Sequence, residues 1–229
     1  MAVTTIRPWK VFNLLDSTPD SRIASLFMPH RDSVMLSLET LVIVTLVKYI
    51  NPKRCFEFGT FRGETTLTLA ANLPVGGKVY TLDLPTDDLD EVSFDPFDKQ
   101  MAQTATAETP KFIGSSFENR IERVLMDSMK FEVISPFLDI DFVLVDGNHA
   151  LPYVERDSSN AFKMLASSGC VVWHDYGELA VEMAERSGAD KQNYIDITNF
   201  VNKLSEENPV WHVEDTRLAF STTRDIFPE

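Results

Sequence analysis

Arg54-Cys55-Phe56-Glu57-Phe58-Gly59-Thr60-Phe61-Arg62-Gly63-Glu64-Thr65-Thr66 is the stretch that decides the fold. Arg54 to Phe58 reads as a short buried strand that stops at a glycine, and Glu64 to Asn72 reads as a helix. Gly59 permits close approach of a ligand to the backbone, and Gly63 lets the helix start tight against the sheet. A plain strand–turn–helix connection uses glycines in the same way. Phe61 stands where a dinucleotide-binding G-x-G-x-x-G turn has its second glycine. A diphosphate needs that bare backbone, whereas a ligand without phosphates does not.

Outward from this turn the pattern repeats. Gly76-Gly77 reset the chain, and Lys78 to Leu82 is a second strand closed by Asp83. Ile121 to Met126 is a third, followed by Asp127-Ser128. Asp141 to Val145 is a fourth, ending at Asp146-Gly147, and Cys170 to Trp173 a fifth, ending at His174-Asp175. Helices are expected over Tyr153 to Ala166 and Asn193 to Leu204, with a closing hairpin at Trp211 to Val213 and Arg217 to Ser221. Strands alternating with helices predict an α/β, doubly wound sheet, mostly parallel with an antiparallel last strand. In such sheets ligands lie beyond the carboxyl ends of the strands. The acids Asp83, Asp127, Asp146 and Asp175 all fall at those ends, and Glu57 precedes the first glycine. A purely structural sheet has no need of carboxylates along one rim.

The N-terminal segment, residues 1–50, is expected to be a helical extension of a domain spanning 51–229. Ser33 to Ile50 carries Met35, Leu38, Val42, Leu46 and Tyr49 at helical spacing, with Pro52 as a stop. The β-branched run Val42-Ile43-Val44-Thr45 also suits a buried strand; the length of the segment favours the helix. Residues 84–110 hold many carboxylates and no clear period. They read either as a lid, with Phe94, Phe97 and Met101 facing a pocket, or as a mobile insertion.

Bulk properties narrow the function. A chain of 229 residues with 44% hydrophobic content builds a large core. The formal charge of −14 argues against a duplex nucleic-acid partner and against anionic membranes. Cys55 and Cys170 lie in apolar runs without metal or redox spacing. Residues 1–9 lack the apolar core of a signal peptide, and 41–50 is too short to span a bilayer. A cytoplasmic setting is expected.

Asp83, 24 residues beyond Gly59, is placed to accept both hydroxyls of a ribose, though a cap or surface carboxylate fits the same position. His149, on the loop after Asp146, is placed to take a proton from a substrate hydroxyl, since imidazole titrates near neutrality. It could equally brace that loop through a backbone carbonyl. Tyr153 and Asp157 share one helical face and read as structural. Strand alternation sends Trp173 and Asp175 to one side and His174 to the other, unless the strand has already ended. Asp146 and Asp175, from neighbouring strands, could converge on a divalent cation such as Mg2+, or Asp175 could simply bond His149 or a cofactor.

Together, Cys55 to Asp83, Asp127-Ser128 and Asp141 to Tyr176 resemble the class I, Rossmann-like S-adenosylmethionine-dependent methyltransferases. The nearest pattern is the small-molecule O-methyltransferase group with D-G-x-H after the fourth strand, here Asp146-Gly147-Asn148-His149. The resemblance implies that Glu57, Gly59, Thr60 and Gly63 hold the methionine part of S-adenosyl-L-methionine. It implies Asp83 on the ribose, Asp127 and Ser128 along the adenine, and Asp146 beside the methyl group. His149 and Asp146 become the catalytic candidates, and Asp146 and Asp175 the metal candidates. Tyr176 departs from the metal-dependent pattern, which has a second Asp or an Asn there. Glu214-Asp215-Thr216-Arg217-Leu218-Ala219-Phe220 resembles the family's last strand, with Asp215 in place of a glycine. The implied reaction is direct methyl transfer to a hydroxyl of a sugar, polyketide or phenol. An NAD-dependent enzyme and a catalytically silent cofactor-binding protein are the alternatives. Oligomeric state is open, a homodimer included.

Overall fold

The computed structural model describes residues 2–16, 18–29, 34–92 and 94–227. The chain runs β1 (Thr4–Ile6), α1 (Pro8–Phe12), α2 (Ser37–Ile50), β2 (Arg54–Phe58), α3 (Glu64–Asn72), β3 (Lys78–Asp83) and α4 (Pro96–Thr106). It continues through β4 (Ile121–Leu125), β5 (Ile140–Val145), α5 (Leu151–Met164), β6 (Leu165–Trp173), α6 (Glu178–Ser187), α7 (Lys191–Leu204), β7 (Trp211–Val213) and β8 (Ala219–Thr222).

The strands form one eight-stranded sheet in the order β1-β7-β8-β6-β5-β2-β3-β4. Strands β2 to β6 pair in parallel, and β8 runs antiparallel to both β6 and β7. This is the Rossmann-like sheet with its antiparallel last strand. After β2 the chain winds outward to β3 and β4, then returns to lay β5 against the other side of β2. Connections therefore diverge between β2 and β5, and a crevice opens at their carboxyl ends.

Period-two alternation divides the core between the faces. Cys55, Phe142, Leu144, Cys170 and Val172 pack with Val42, Leu46 and Leu69 from α2 and α3. Phe56, Phe58, Val143, Val145 and Trp173 pack with Val154, Met164 and Ile197 from α5 and α7. Both faces are covered, so the central strands read as continuous apolar runs. Cys55 and Cys170 are buried free thiols.

The β-branched run Val42-Ile43-Val44-Thr45 lies inside α2, every one of its residues buried. Burial on several sides outweighs the modest propensity cost of β-branching. Asn51 ends the helix in a left-handed conformation, its N–H donating to Val47 O at 2.8 Å. The expected helix start at Ser33 lies outside the described residues.

Three features were not read from the sequence. Thr4–Ile6 is an edge strand parallel to β7, so the N-terminal segment adds to the sheet as well as supplying helices. Residues 84–110 contain α4, capped by Asp95, whose Oδ1 accepts from the N–H groups of Phe97 and Asp98. Helix α6 precedes α7. Among the described residues no helix is long and apolar enough to cross a membrane.

Phe142 is fully buried on the central strand β5, while Val75 is 98% exposed. Phe142→Ala is expected to lower unfolding free energy by about 3 to 5 kcal/mol in urea denaturation. Val75→Ala should stay within about 0.5 kcal/mol of the parent.

Candidate active site

The rim is built at the switch point. Gly59 leaves β2 with φ +94°, and a Cβ there would fall 2.0 Å from the carbonyl oxygen of Asp146. Only glycine lets these two strand ends approach so closely. Gly63 opens α3 with φ +77°, and a Cβ there would meet the Phe112 ring at 2.7 Å. Between them Phe61 adopts φ +48°.

Glu57 lies beneath this turn and is absent from the cavity wall. Its Oε2 accepts from the hydroxyls of Thr66 and Thr81, and Thr81 Oγ1 lies 2.8 Å from Thr60 Oγ1. Burial pushes the carboxyl up to about 8 against the lowering effect of both hydroxyls. Its place corrects the expectation of direct cofactor contact: the side chain braces the turn from below.

A cavity of about 410 Å³ opens over the rim. Its wall includes Gly59, Thr60, Gly63, Asp83, Asp127, Ser128, Asp146, His149 and Asp175, which gathers every other predicted site residue into one place. Asp83 ends β3; its Oδ1 accepts from Leu84 N at 3.1 Å and its Oδ2 from Arg123 Nη2 at 3.2 Å. Burial raises its pKa while Arg123 lowers it, with a net upward shift. Asp127 caps the turn that follows β4, accepting from Met129 N at 3.0 Å. Tyr153 and Asp157, read as structural, also line the cavity. Burial pushes Asp157 up to about 7, although the Ser128 hydroxyl bonds it.

At the β5–β6 end the charges concentrate. The strand has ended at Trp173, whose Nε1 donates to Ser158 Oγ at 2.9 Å. Asp175 then takes φ +59°, so the expected alternation fails. His174 and Asp175 meet instead of pointing apart, with Nδ1 and Oδ2 3.0 Å from each other. His174 Nδ1 also lies 3.0 Å from Asp146 Oδ1, and its Nε2 3.2 Å from Glu39 Oε2. Arg217 donates to both oxygens of Glu39, from Nε at 3.0 Å and Nη2 at 2.8 Å, and from Nη1 to Asp175 Oδ1 at 3.1 Å. Burial acts to raise Glu39, but His174 and Arg217 outweigh it and hold the carboxyl at about 2.

His149 sits between two carboxylates. Nε2 is 3.0 Å from Asp175 Oδ2, and Nδ1 is 2.9 and 3.0 Å from the two oxygens of Asp98, with the Tyr194 hydroxyl at 3.3 Å. Burial acts to lower its pKa, but Asp175 and Asp98 together hold it well above the usual imidazole range. Its partners are carboxylates, not a backbone carbonyl. Asp146, His149 and Asp175 each offer a ligand atom within 4.8 Å of the others, so the predicted metal pair gains an imidazole.

Sequence reading assigned no role to Asp98, Glu39, His174 or Arg217. A carboxylate inside the apolar run of α2 is a signal for Glu39, since buried charges demand partners. Nothing separates Asp98 from the other acids of its segment.

Glu57 supplies a pH test. Its folded pKa lies above the ordinary value of 4.5, so the fold prefers the protonated form. Its contribution to stability is therefore full below about pH 4.5 and is lost as pH rises through about 8. Glu57→Gln is expected to gain stability over the parent from pH 6 toward 8 in denaturant titrations; equal curves at pH 8 would contradict this.

A family model described as a methyltransferase domain matches residues 56–176. The catechol O-methyltransferase domain-containing protein 1 of Mus musculus is 32% identical over 66 residues, 29% of this chain and 25% of its own length. The match thus spans about a quarter of that relative. Among solved structures, a Staphylococcus aureus protein provisionally named a caffeoyl-CoA O-methyltransferase superposes with TM-score 0.62 at 16% identity, covering 83% of this chain and 85% of its own. The O-methyltransferase TomG from Streptomyces achromogenes, involved in tomaymycin synthesis and solved with S-adenosylmethionine, gives TM-score 0.56 at 14% identity, covering 94% and 90%. A Bacillus cereus O-methyltransferase solved with S-adenosylhomocysteine gives 0.54 at 16%, covering 85% and 84%. At such identities the structural likeness shows the fold.

Proposed function

Because the chain belongs to the methyltransferase-domain family, matched over 56–176 of its 229 residues, we propose that it uses S-adenosylmethionine to methylate a hydroxyl of a small molecule. One observation carries this reading: a single cavity holds the glycine turn and Asp83 at one end and His149 between two carboxylates at the other.

The residues fit the cofactor. Gly59, Thr60 and Gly63 would hold its methionine part, Asp83 would accept from the ribose hydroxyls, and Asp127 and Ser128 would border the adenine. Asp146 stands between the two ends of the site. Phe61 and the acidic wall disfavour a dinucleotide diphosphate, which argues against an NAD enzyme. When bound, the cofactor would supply a sulfonium methyl group, whose carbon an acceptor oxygen attacks in line as the C–S bond breaks and S-adenosylhomocysteine leaves.

The chain's own part is to place that oxygen and take its proton. Asp175 and Asp98 keep His149 protonated in the free site, so its Nε2 proton leaves to solvent as the acceptor hydroxyl takes the place of Asp175 there, and the neutral nitrogen then accepts the hydroxyl proton. Asp98, bonded to Nδ1, fixes the ring and stabilises the imidazolium that forms. Positioning of the two reactants accounts for much of the rate. A second reading rests on the convergence of Asp146, His149 and Asp175. These three would hold a divalent cation, whose Lewis acidity favours the alkoxide form of an acceptor.

Calorimetric titration with S-adenosylhomocysteine tests the assignment. Roughly micromolar binding is expected in chelator as well as in magnesium, and Asp83→Ala should weaken it at least about tenfold. Wild-type affinity in Asp83→Ala would remove the ribose assignment, and activity lost on chelation would favour the cation.

On an acceptor that the wild-type protein methylates, His149→Ala is expected to lower kcat by about 10² to 10⁴. Asp98→Asn should lower kcat more than it raises KM, because it acts through the ring. An unchanged kcat in Asp98→Asn would sink that role.

A further inference from the structure

The two ends of the cavity differ in chemistry, and the difference identifies the acceptor. Gly59, Asp83 and Ser128 rise from β2, β3 and the turn after β4, whereas His149 and Asp175 follow β5 and β6. Beyond that second pair the wall is made by Phe94, Phe97 and Met101 around α4, Met183 and Ala184 on α6, and Tyr194 on α7. Ala180 and Ala184, one turn apart, are both buried and leave space beside the longer Met183.

The polar groups on these elements are Thr106 on α4, Ser187 on α6, the Tyr194 hydroxyl and the cluster of Asp98, Asp146, His149, His174 and Asp175. Among the described lining residues Arg217 is the one guanidinium or ammonium, and Glu39 and Asp175 already neutralise it. An anionic acceptor entering here would lose its hydration, find the cationic groups of the wall, Arg217 and the imidazoles of His149 and His174, already paired with carboxylates, and face Asp98 and Asp175. An apolar ring instead buries its surface against Phe97, Met101 and Met183 while its hydroxyl reaches His149.

Resting on the methyltransferase reading, we propose that the acceptor is an uncharged, ring-sized hydroxyl compound. The segment around α4 selects it by apolar contact. The carboxylates at the inner end reject carboxylated, sulfonated or phosphorylated analogues. Anion rejection thus comes from the site itself and not only from the overall charge of the chain.

A matched pair of probes tests this on the complex with S-adenosylhomocysteine: naphthalene-2,3-diol and its 6-sulfonate, followed by calorimetry. The neutral diol is expected to bind at least about tenfold more tightly than the sulfonate. Phe97→Ala should weaken the diol several-fold while leaving S-adenosylhomocysteine affinity within about twofold, since the ring lines only the acceptor end. Met183→Lys, placing an ammonium on that wall, should narrow the preference for the neutral probe. Sulfonate binding equal to or tighter than the diol, or no diol binding to a complex that has formed, would overturn the proposal. Failure of S-adenosylhomocysteine itself to bind would instead strike the methyltransferase reading, so the two failures are separable.

Discussion

A guanidinium removed from water must be neutralised, and Arg217 is neutralised by carboxylates drawn from distant parts of the chain. Glu39 comes from the helix before the first central strand and Asp175 from the turn after the last parallel one. The side chains of Arg217, Glu39, Asp175 and His174 all lie below a tenth exposed. Removing any one leaves the others with uncompensated buried charge, which is strongly destabilising. That network fixes where Asp175 stands, and Asp175 in turn holds His149. The end of the cavity that we assign to catalysis is therefore held in part by Glu39, which lies outside its wall.

The same arrangement explains how two histidines with similar surroundings are used differently. His174 is enclosed by Glu39, Asp146 and Asp175 and reaches the cavity along one edge. His149 lies on the loop after β5, with about a fifth of its side chain exposed, and lines the cavity. One imidazole is enclosed in the frame, and the other, our candidate base, keeps part of its surface open to the cavity.

Much of the frame was legible because strands and glycine turns have local signatures. Gly59, Gly63 and the acids Asp83, Asp146 and Asp175 were placed correctly at strand ends because period two and turn chemistry act over a few residues. The failures come from where the chain goes next. Whether Asp175 keeps strand alternation depends on where the strand ends, and it ends at Trp173, before a left-handed Asp175. Glu57 was taken for a cofactor contact because a sequence does not show whether a carboxylate points up from a turn or down beneath it. Asp98 lies 51 residues from His149, and only folding of the acidic segment brings them together.

The outermost strand on the far side of the sheet, β4, carries a further consequence. An unpaired row of backbone groups invites a second chain to add to it, and sheets guard against this with charge. Here Glu122 pairs with Lys78 and Arg123 with Asp83, so ionic side chains decorate that border. Arg123 therefore serves two ends at once, charging the free border and staying tied to the acid we assign to ribose.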